Sequence, residues 1–284
     1  MRGRAEAPGA ATVINAIATL RGGAFAIDIH TTAEVEITDS VGVTGEINRE
    51  GSEDTDTQLI ERCAELVLRR FNLEKRKGAH VSTTTEIPVA SGLKSSSAAA
   101  NATVLATLDA IDEALDPMEA TRVGVEAARD TGVTVTGAMD DAAASMLGGI
   151  VLTDNSKDEV LKRDETDWEV AVYVPEERAY TSETDIGRSK VVGPVVDRAF
   201  ELALEGEYAD AMTINGLAYC AALGYDPSVA VDALKHTRGA GLSGTGPSYS
   251  AIGNAEQIDK VVEEWKSRQG KVLRTKTNNK GARS

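Results

Sequence analysis

The sequence predicts an α+β fold of two domains, and two observations support this prediction. Segments with the alternation of β-strands and segments with the apolar spacing of α-helices intermingle along all 284 residues, without the strict strand–helix–strand rhythm of a doubly wound parallel sheet. A polar, charged stretch at 154–167 separates two halves that each contain both kinds of element. We therefore predict an N-terminal domain at 1–160 and a C-terminal domain at 161–284.

The predicted strands are runs in which β-branched residues alternate with polar or small ones. They lie at 22–38, 79–87, 149–153, 168–174, 249–253 and 271–275. The polar, acidic segment at 40–57 is predicted as a surface loop or hairpin. The basic end of the chain is predicted as the last strand followed by a frayed terminus.

The helix predictions depend on apolar spacing and on start signals. Leu59, Cys63 and Leu66 lie at helical spacing. Asp116 and Pro117 mark a helix start, because Asp caps the N-terminus well and Pro suits the first helical position. The predicted helices cover 58–71, 95–115, 117–132, 139–147, 190–205, 207–223, a segment opened by Asp226 and Pro227, and 255–268.

The composition argues against several classes of protein. About 42% of the residues are hydrophobic, enough for a core, but no run reaches the ~18–20 apolar residues of a membrane-spanning helix. The net charge of −15 argues against general nucleic-acid binding, which needs a positive surface. Two cysteines and three widely spaced histidines argue against a disulfide scaffold and a zinc cluster. With no signal-peptide pattern at the start, we expect a cytoplasmic protein.

The strongest local signal is the run IPVASGLKSSSAA at 87–99. A predicted strand ends there, a glycine permits a tight turn, and an alanine-rich helix begins among the serines. The free N–H groups and the dipole of a helix N-terminus form an anion site suited to a nucleotide triphosphate. The run is not a Walker A loop, because Leu93 rather than glycine precedes the lysine. The predicted nucleotide contacts are Pro88, Val89, Ala90, Ser91, Gly92, Leu93, Lys94, Ser95, Ser96 and Ser97.

Three further segments accompany this loop. They are APGAATVIN at 7–15, TGAMDD at 136–141 and GLSGTGPS at 241–248. In this order, the four segments are similar to those of the GHMP kinase superfamily, whose phosphate loop follows the pattern P-x-x-x-G-L-x-S-S-x-A. The resemblance covers nearly the whole chain, and the longer runs around the segments resemble the archaeal branch that phosphorylates shikimate.

The resemblance implies a fold, a reaction and its cofactors. GHMP kinases pair a ribosomal protein S5 domain 2-like N-terminal domain with a ferredoxin-like C-terminal domain, and the active site lies between them. The expected activity is phosphorylation of shikimate by ATP with Mg²⁺. Two alternatives stay open: another GHMP kinase, chiefly homoserine kinase, and a non-catalytic nucleotide-binding regulator. The aspartates at 140–141 favour the first, because homoserine kinases generally lack that carboxylate.

The resemblance also implies roles for single residues. Asp140 takes the place of the catalytic carboxylate, which accepts or orients the proton of the substrate hydroxyl. Asp141 stands where the family usually has Gln, so the choice between the two neighbours stays open, as does a helix-capping role. Ser96 and Glu126 are the expected ligands of Mg²⁺, a hard ion that prefers oxygen. For Glu126 the alternative is a solvated position on its helix.

The predicted substrate contacts are Asn15, Asp140, Thr184, Arg188 and Gly244. In homoserine kinases a Thr and an Arg four residues apart contact the substrate, and Thr184 and Arg188 have the same spacing. A guanidinium is suited to bind the carboxylate of the substrate bidentately. The alternative is an arginine in a surface loop.

Two departures from the family pattern concern basic residues. Lys94 stands where Gly or Ser is usual, and it either neutralises phosphate as a point charge or lies solvated in the loop. Ala10 stands where mevalonate kinase-like members place a lysine. Lys94 or Arg4 would have to replace that lysine, and the sequence leaves both open.

Overall fold

The computed structural model describes residues 1–48, 56–88, 90–134, 136–176 and 186–284. The strands in these residues are β1 (Arg2–Ile14), β2 (Arg21–Thr38), β3 (Gly42–Asn48), β4 (Gly78–Thr85), β5 (Ile150–Asp154), β6 (Glu159–Asp164), β7 (Glu169–Val174), β8 (Gly239–Leu242), β9 (Tyr249–Gly253) and β10 (Lys271–Lys276). The helices are α1 (Gln58–Arg70), α2 (Ser95–Ala110), α3 (Pro117–Asp130), α4 (Met139–Leu147), α5 (Ile186–Val191), α6 (Gly193–Glu205), α7 (Tyr208–Leu223), α8 (Ser228–Leu234) and α9 (Ala255–Lys266).

The long strand β2 organises the first sheet. Its 18 residues pair with β1 along one edge and with β4 and β5, in succession, along the other. Strands β3 and β6 complete the sheet at its two ends, in the order β3-β4-β2-β5-β6. The register of β1 on β2 shifts between Pro8 and Gly9. A proline lacks the N–H that a regular ladder needs, and this irregularity accommodates it.

Helices α1, α2 and α4 contact this sheet, and α3 packs on α1, α2 and α4. Asp116 caps α3 by accepting a hydrogen bond from the backbone N–H of Met118 at 2.9 Å, as the Asp-Pro pair predicts. Helix α4 has the predicted bounds. Helix α2 ends earlier than predicted, because a turn follows it in which Asp112 has φ = 56°.

The second sheet is antiparallel, with the order β10-β7-β9-β8. Numbered by position in the chain, its four strands lie in the order 4-1-3-2, which is that of the expected ferredoxin-like fold. Helices α7, α8 and α9 pack against it. Trp265 of α9 is fully buried there, and its indole N–H donates to the carbonyl oxygen of Val229 at 2.9 Å.

Two edge strands lie where the sequence indicated loop and linker. Strands β3 and β6 alternate only between half-buried and exposed side chains. Edge strands that carry charged residues lack the apolar alternation from which strands are predicted in a sequence. The chain leaves the first sheet after Asp164 and enters the second at Glu169. The division at 160/161 stays a prediction, and it would pass through β6.

The C-terminal tail at 277–284 is hydrogen-bonded to the rest of the chain, so the prediction of a frayed terminus is wrong. The N–H of Asn278 donates to the carbonyl oxygen of Ala26 at 2.9 Å. Further on, Arg283 and Glu6 exchange both backbone hydrogen bonds. The tail therefore returns from the second sheet to the first. Among the described residues no helix is long and apolar enough to cross a membrane.

We predict that Asn278→Ala lowers the free energy of unfolding by about 1–3 kcal/mol, the cost of leaving buried polar groups unpaired. The Oδ1 atom of Asn278 accepts from the N–H groups of Lys280 and Gly281, and its Nδ2 donates to Asp28. Urea denaturation measures the change. Lys280→Ala removes an exposed side chain of the same tail and should stay within about 0.5 kcal/mol. An equal loss in both variants would contradict the assigned contacts.

Candidate active site

A cavity of about 480 Å³ lies where the two halves of the chain meet. Four segments and the single residue Asp56, which lies just before α1, border it. The segments are the loop after β1, the phosphate loop with the start of α2, the stretch from α3 to the start of α4, and the glycine-rich loop after β8. The described residues that line it are Asn15, Ala16, Ile17, Asp56, Ala90, Gly92, Lys94, Ser95, Ser96, Ser97, Ala100, Gly124, Val125, Ala128, Thr131, Gly132, Val133, Thr134, Thr136, Gly137, Ala138, Asp140, Asp141, Ala142, Gly244 and Thr245.

The phosphate loop has a backbone suited to bind an anion. Ala90, Gly92 and Lys94 have φ angles of 54°, 82° and 63°, so every second residue has a positive φ. Alternation of this kind turns successive N–H groups toward one concave side. Helix α2 begins at Ser95 and no side chain caps it, which leaves the N–H groups of its first turn available to a ligand.

The glycine-rich loop of the second half donates hydrogen bonds to backbone carbonyl groups of the phosphate loop. The hydroxyl of Ser243 donates to the carbonyl oxygen of Gly92 at 2.9 Å, and the N–H of Ser248 donates to that of Ser91 at 3.2 Å. A Cβ atom on Gly92 would collide with the carbonyl of Ser243. Position 92 therefore needs glycine both for its φ and for this close approach.

Asn15 joins the first strand to the same glycine-rich loop. Its Nδ2 donates to the carbonyl oxygen of Gly244 at 2.8 Å, and its Oδ1 accepts from the N–H of Ile17 at 2.9 Å. The N–H of Gly244 in turn donates to the hydroxyl of Thr12 at 2.8 Å. Asn15 and Gly244, two predicted substrate contacts, thus both line the cavity and hold each other in place.

Asp140 lies in the first turn of α4 and is 4% exposed. Its Oδ1 accepts from Nδ2 of Asn155 at 2.8 Å. Gly22 of β2 leaves room for its other oxygen, since a Cβ atom there would collide with Oδ2. Burial, and next the charge of Asp141, raise the pKa of Asp140 from 3.8 to about 7. This carboxyl group can therefore give and take a proton near neutral pH.

Asp141 pairs with Lys94 across the cavity. The Nζ atom of Lys94 lies 3.0 Å from Oδ1 of Asp141, and the two side chains are 10% and 17% exposed. Lys94 is thus not a solvated loop lysine. Arg4, the other basic residue left open by the sequence, lies on β1, and its exposed side chain is near Glu34 of β2. It is not among the residues that line the cavity.

The structure does not bring every predicted site residue to the cavity. Glu126 is exposed on α3, and Arg188 is exposed on α5, where it donates to the carbonyl oxygen of Ala221 at 3.3 Å. Val89 and Thr184 lie outside the described residues. Ser96 lines the cavity. Among the residues described, no group of three His, Cys, Asp or Glu side chains forms a metal cluster.

Two site residues were missed from the sequence. Asn155 follows β5 in the polar stretch at 154–167, which in the sequence indicates only a domain boundary. Its Nδ2 donates to Oδ1 of Asp140. Tyr219 of α7 donates to the carbonyl oxygen of Asn15 at 3.3 Å and accepts from the N–H of Ala18 at 3.1 Å. Neither contact has a local signal in the sequence, because in each the two partners lie on different elements of the fold.

Comparison with known proteins agrees with this geometry. The sequence signature described as "GHMP kinases N terminal domain" matches residues 58–149, which include the phosphate loop and both aspartates. The chain is 52% identical to the shikimate kinase of Halobacterium salinarum, with 100% of both chains aligned. It is 53% identical to that of Methanothrix thermoacetophila, with 100% of this chain and 96% of the relative aligned. The chain belongs to the GHMP kinase family.

Solved structures of this family have the same fold at low sequence identity. Methanococcus jannaschii mevalonate kinase superposes with a TM-score of 0.80 over 98% of this chain and 99% of its own, at 16% identity. Homoserine kinase from Cytophaga hutchinsonii gives a TM-score of 0.78 over 99% and 96%, at 17% identity. The predicted GHMP kinase fold is confirmed, and this GHMP kinase is an ATP-dependent kinase of small molecules.

We predict that Asp140→Asn raises the melting temperature of the ligand-free protein at pH 8. Because the folded state raises the pKa of Asp140 from 3.8 to about 7, the folded state binds the proton more tightly than the unfolded one. Its stability therefore falls as the pH rises between those two values. Asparagine cannot ionise, so the variant escapes this loss.

Thermal unfolding at pH 5 and pH 8 measures the effect, and the difference between variant and wild type should grow toward pH 8. Glu113→Gln removes an exposed carboxylate and should shift the melting temperature equally at both pH values. Parallel curves for Asp140→Asn and wild type would contradict the raised pKa.

Proposed function

We propose that this kinase transfers the γ-phosphoryl group of ATP to a ring hydroxyl of shikimate, which forms shikimate 3-phosphate for aromatic amino-acid biosynthesis. The observation that supports the chemistry is one cavity that holds a phosphate loop and, opposite it, a buried carboxyl with a pKa near neutrality. The choice of shikimate follows from relatives of that name at 52% and 53% identity over nearly the full length. The cytoplasm remains the predicted location.

The nucleotide binds with its phosphates at the start of α2. The alternating positive φ angles at Ala90, Gly92 and Lys94 and the uncapped first turn of α2 supply N–H groups for several phosphate oxygens at once. Much of the binding of the triphosphate therefore does not depend on any one side chain. The glycine-rich loop supports this arrangement, because it donates hydrogen bonds to the carbonyl groups of Ser91 and Gly92.

Asp140 acts as the base. In its ionised form it accepts the proton of the substrate hydroxyl while that oxygen attacks the γ-phosphorus and the bond to the bridging oxygen of ADP breaks. A pKa of about 7 suits this task, since the carboxylate is present near neutral pH and is still basic enough to take the proton. Asn155 fixes one oxygen of the carboxylate, and the other is left for the hydroxyl.

Mg²⁺ fits this site through oxygen ligands. The hydroxyl of Ser96 lies in the first turn of α2 and borders the cavity. Mg²⁺ takes few protein ligands where phosphates and water supply the others, so one hydroxyl beside the triphosphate suffices. When bound, the ion neutralises phosphate charge. Glu126, the second predicted ligand, is not part of this arrangement, because its side chain is exposed and α3 borders the cavity through Gly124, Val125 and Ala128.

The acceptor occupies the part of the cavity beside Asp140. Asn15 and Gly244 border that part, and the second N–H of the Asn15 amide is a donor for a substrate hydroxyl. Shikimate carries a carboxylate, and Arg188 stays our predicted partner for it, together with Thr184, which lies outside the described residues. A release of ADP measured with shikimate, homoserine and mevalonate as acceptors tests the choice. Turnover of homoserine alone would make homoserine kinase the better assignment, and turnover of none would favour a regulator.

We predict that Asp140→Asn lowers kcat with shikimate by about 10²–10⁴-fold, the usual range for loss of acid–base assistance. Asparagine keeps the size of the side chain and can still hydrogen-bond to Asn155, so ATP affinity measured by calorimetry should remain nearly unchanged. Glu113→Gln serves as the matched removal of a carboxylate and should keep the wild-type rate. A wild-type kcat in Asp140→Asn would remove this residue from the mechanism.

We predict that Ser96→Ala raises the Mg²⁺ concentration needed for half-maximal activity, because a hydroxyl ligand is lost. The binding of ATP without the metal should change little, since backbone N–H groups hold the phosphates. Ser95→Ala is the matched control in the same helical turn, and its Mg²⁺ dependence should follow the wild type. Identical Mg²⁺ titrations of Ser96→Ala and the control would argue against Ser96 as a ligand.

A further inference from the structure

Lys94 stands out by its charge among the residues of the cavity. It is the only basic residue among the described residues that line the cavity. Three acidic residues, Asp56, Asp140 and Asp141, line the same space. A triphosphate that enters this space brings further negative charge, which Lys94 is the one basic residue among the described lining residues to offset.

The ammonium lies where three segments meet. Lys94 precedes the first residue of α2, its Nζ lies 3.0 Å from Oδ1 of Asp141 in the first turn of α4, and it also faces the glycine-rich loop. A Cβ atom on Gly244 would lie 2.9 Å from Nζ. A side chain at 244 would therefore crowd the ammonium, and glycine leaves the space that it occupies.

The backbone at Lys94 adds an independent observation. Its φ of 63° is in the left-handed region, where a side chain costs conformational free energy that glycine avoids. A conformation of this kind persists only where surrounding contacts determine it. Here the strain directs the side chain into the cavity, where it is 10% exposed.

Building on the proposed function, we propose that Lys94 is the cation that contacts the transferred phosphoryl group, and that Asp141 is a positioning residue that holds its ammonium there before ATP binds. The phosphates lie at the start of α2 and the acceptor hydroxyl lies at Asp140, so the γ-phosphoryl group must lie between them. The ammonium reaches that point from the α2 side. On ATP binding it exchanges the carboxylate of Asp141 for phosphoryl oxygens, whose charge it stabilises as the bond to ADP breaks.

Binding of ATP and of ADP separates a contact with the γ-phosphate from a contact with the inner phosphates. For Lys94→Met, calorimetry should show ATP affinity reduced about 10–100-fold, the range for a charge-assisted hydrogen bond, and ADP affinity nearly unchanged. The kcat with shikimate should fall about 10²–10³-fold, as for loss of a donor to transition-state charge. Lys77→Met is the control, because it removes another partly buried lysine from one ion pair, with Asp39, and should alter none of these values.

Asp141→Asn tests the positioning role through its dependence on Lys94. It should lower kcat in the wild-type background and have little further effect in Lys94→Met, which is the signature of two residues that act as a unit. If Lys94→Met alone does not fold, ATP and ADP binding are measured on the double variant of Lys94→Met and Asp141→Asn, which leaves no unpaired carboxylate at 141.

Two results would overturn the inference. Equal losses of ATP and ADP affinity in Lys94→Met would assign Lys94 to the inner phosphates. Equal effects of Asp141→Asn in both backgrounds would show that Asp141 acts without Lys94. The binding measurements need no acceptor, so they test Lys94 even if the wild-type protein does not phosphorylate shikimate, and that second failure would count against the proposed function alone.

Discussion

The site depends on a backbone contact between the two halves of the chain. The glycine-rich loop after β8 approaches the phosphate loop so closely that only glycine fits at position 92, and the hydroxyl of Ser243 closes the contact at 2.9 Å. Neither loop has a regular ladder of its own at this point. Each therefore takes its conformation partly from the other, and the contact supports the backbone of the loop that we propose as the nucleotide site.

Beside this contact, acidic and basic groups from two segments of the first half share one largely buried space. Asp140 and Asp141 are neighbours in α4, and Lys94, the residue before α2, pairs with Asp141. The charge of Asp141 favours protonation of Asp140, and the charge of Lys94 opposes it. Under our proposal, phosphate oxygens bind the ammonium of Lys94 when ATP enters, so Lys94 opposes protonation of Asp140 less and the proton affinity of Asp140 rises. One ammonium group then links nucleotide binding to the proton affinity of the proposed base.

The sequence predicted the parts of the fold that have local signals. The bounds of α4 and the cap of α3 at Asp116 are properties of short segments, and the four motifs were enough to indicate the family. Pairings between distant residues have no such signal. The contact of Asn155 with Asp140 depends on how α4 packs on the first sheet, and that of Tyr219 with Asn15 depends on how the two halves of the chain meet. No local pattern reports either one.

Glu126 shows the limit of a correct helix prediction. Helix α3 lies where it was predicted, but its face toward the cavity carries Gly124, Val125 and Ala128. Residues on a helix turn by about 100° per position, so Glu126 is directed away from that face and is exposed. Locating the helix was possible from sequence, whereas its rotation about its axis is set by packing against α1, α2 and α4.

Three of the seven described non-glycine residues with positive φ line the same cavity. Ala90, Lys94 and Ala138 have φ angles of 54°, 63° and 48°. Lys94 and Ala138 directly precede α2 and α4, and Ala90 lies in the phosphate loop. Such conformations persist only where surrounding contacts determine them. The C-terminal tail contacts the far end of α4, since the N–H of Ala282 donates to the carbonyl oxygen of Met146 at 3.0 Å. The last residues of the chain thus help to hold a helix whose other end carries Asp140, the residue that we propose as the base.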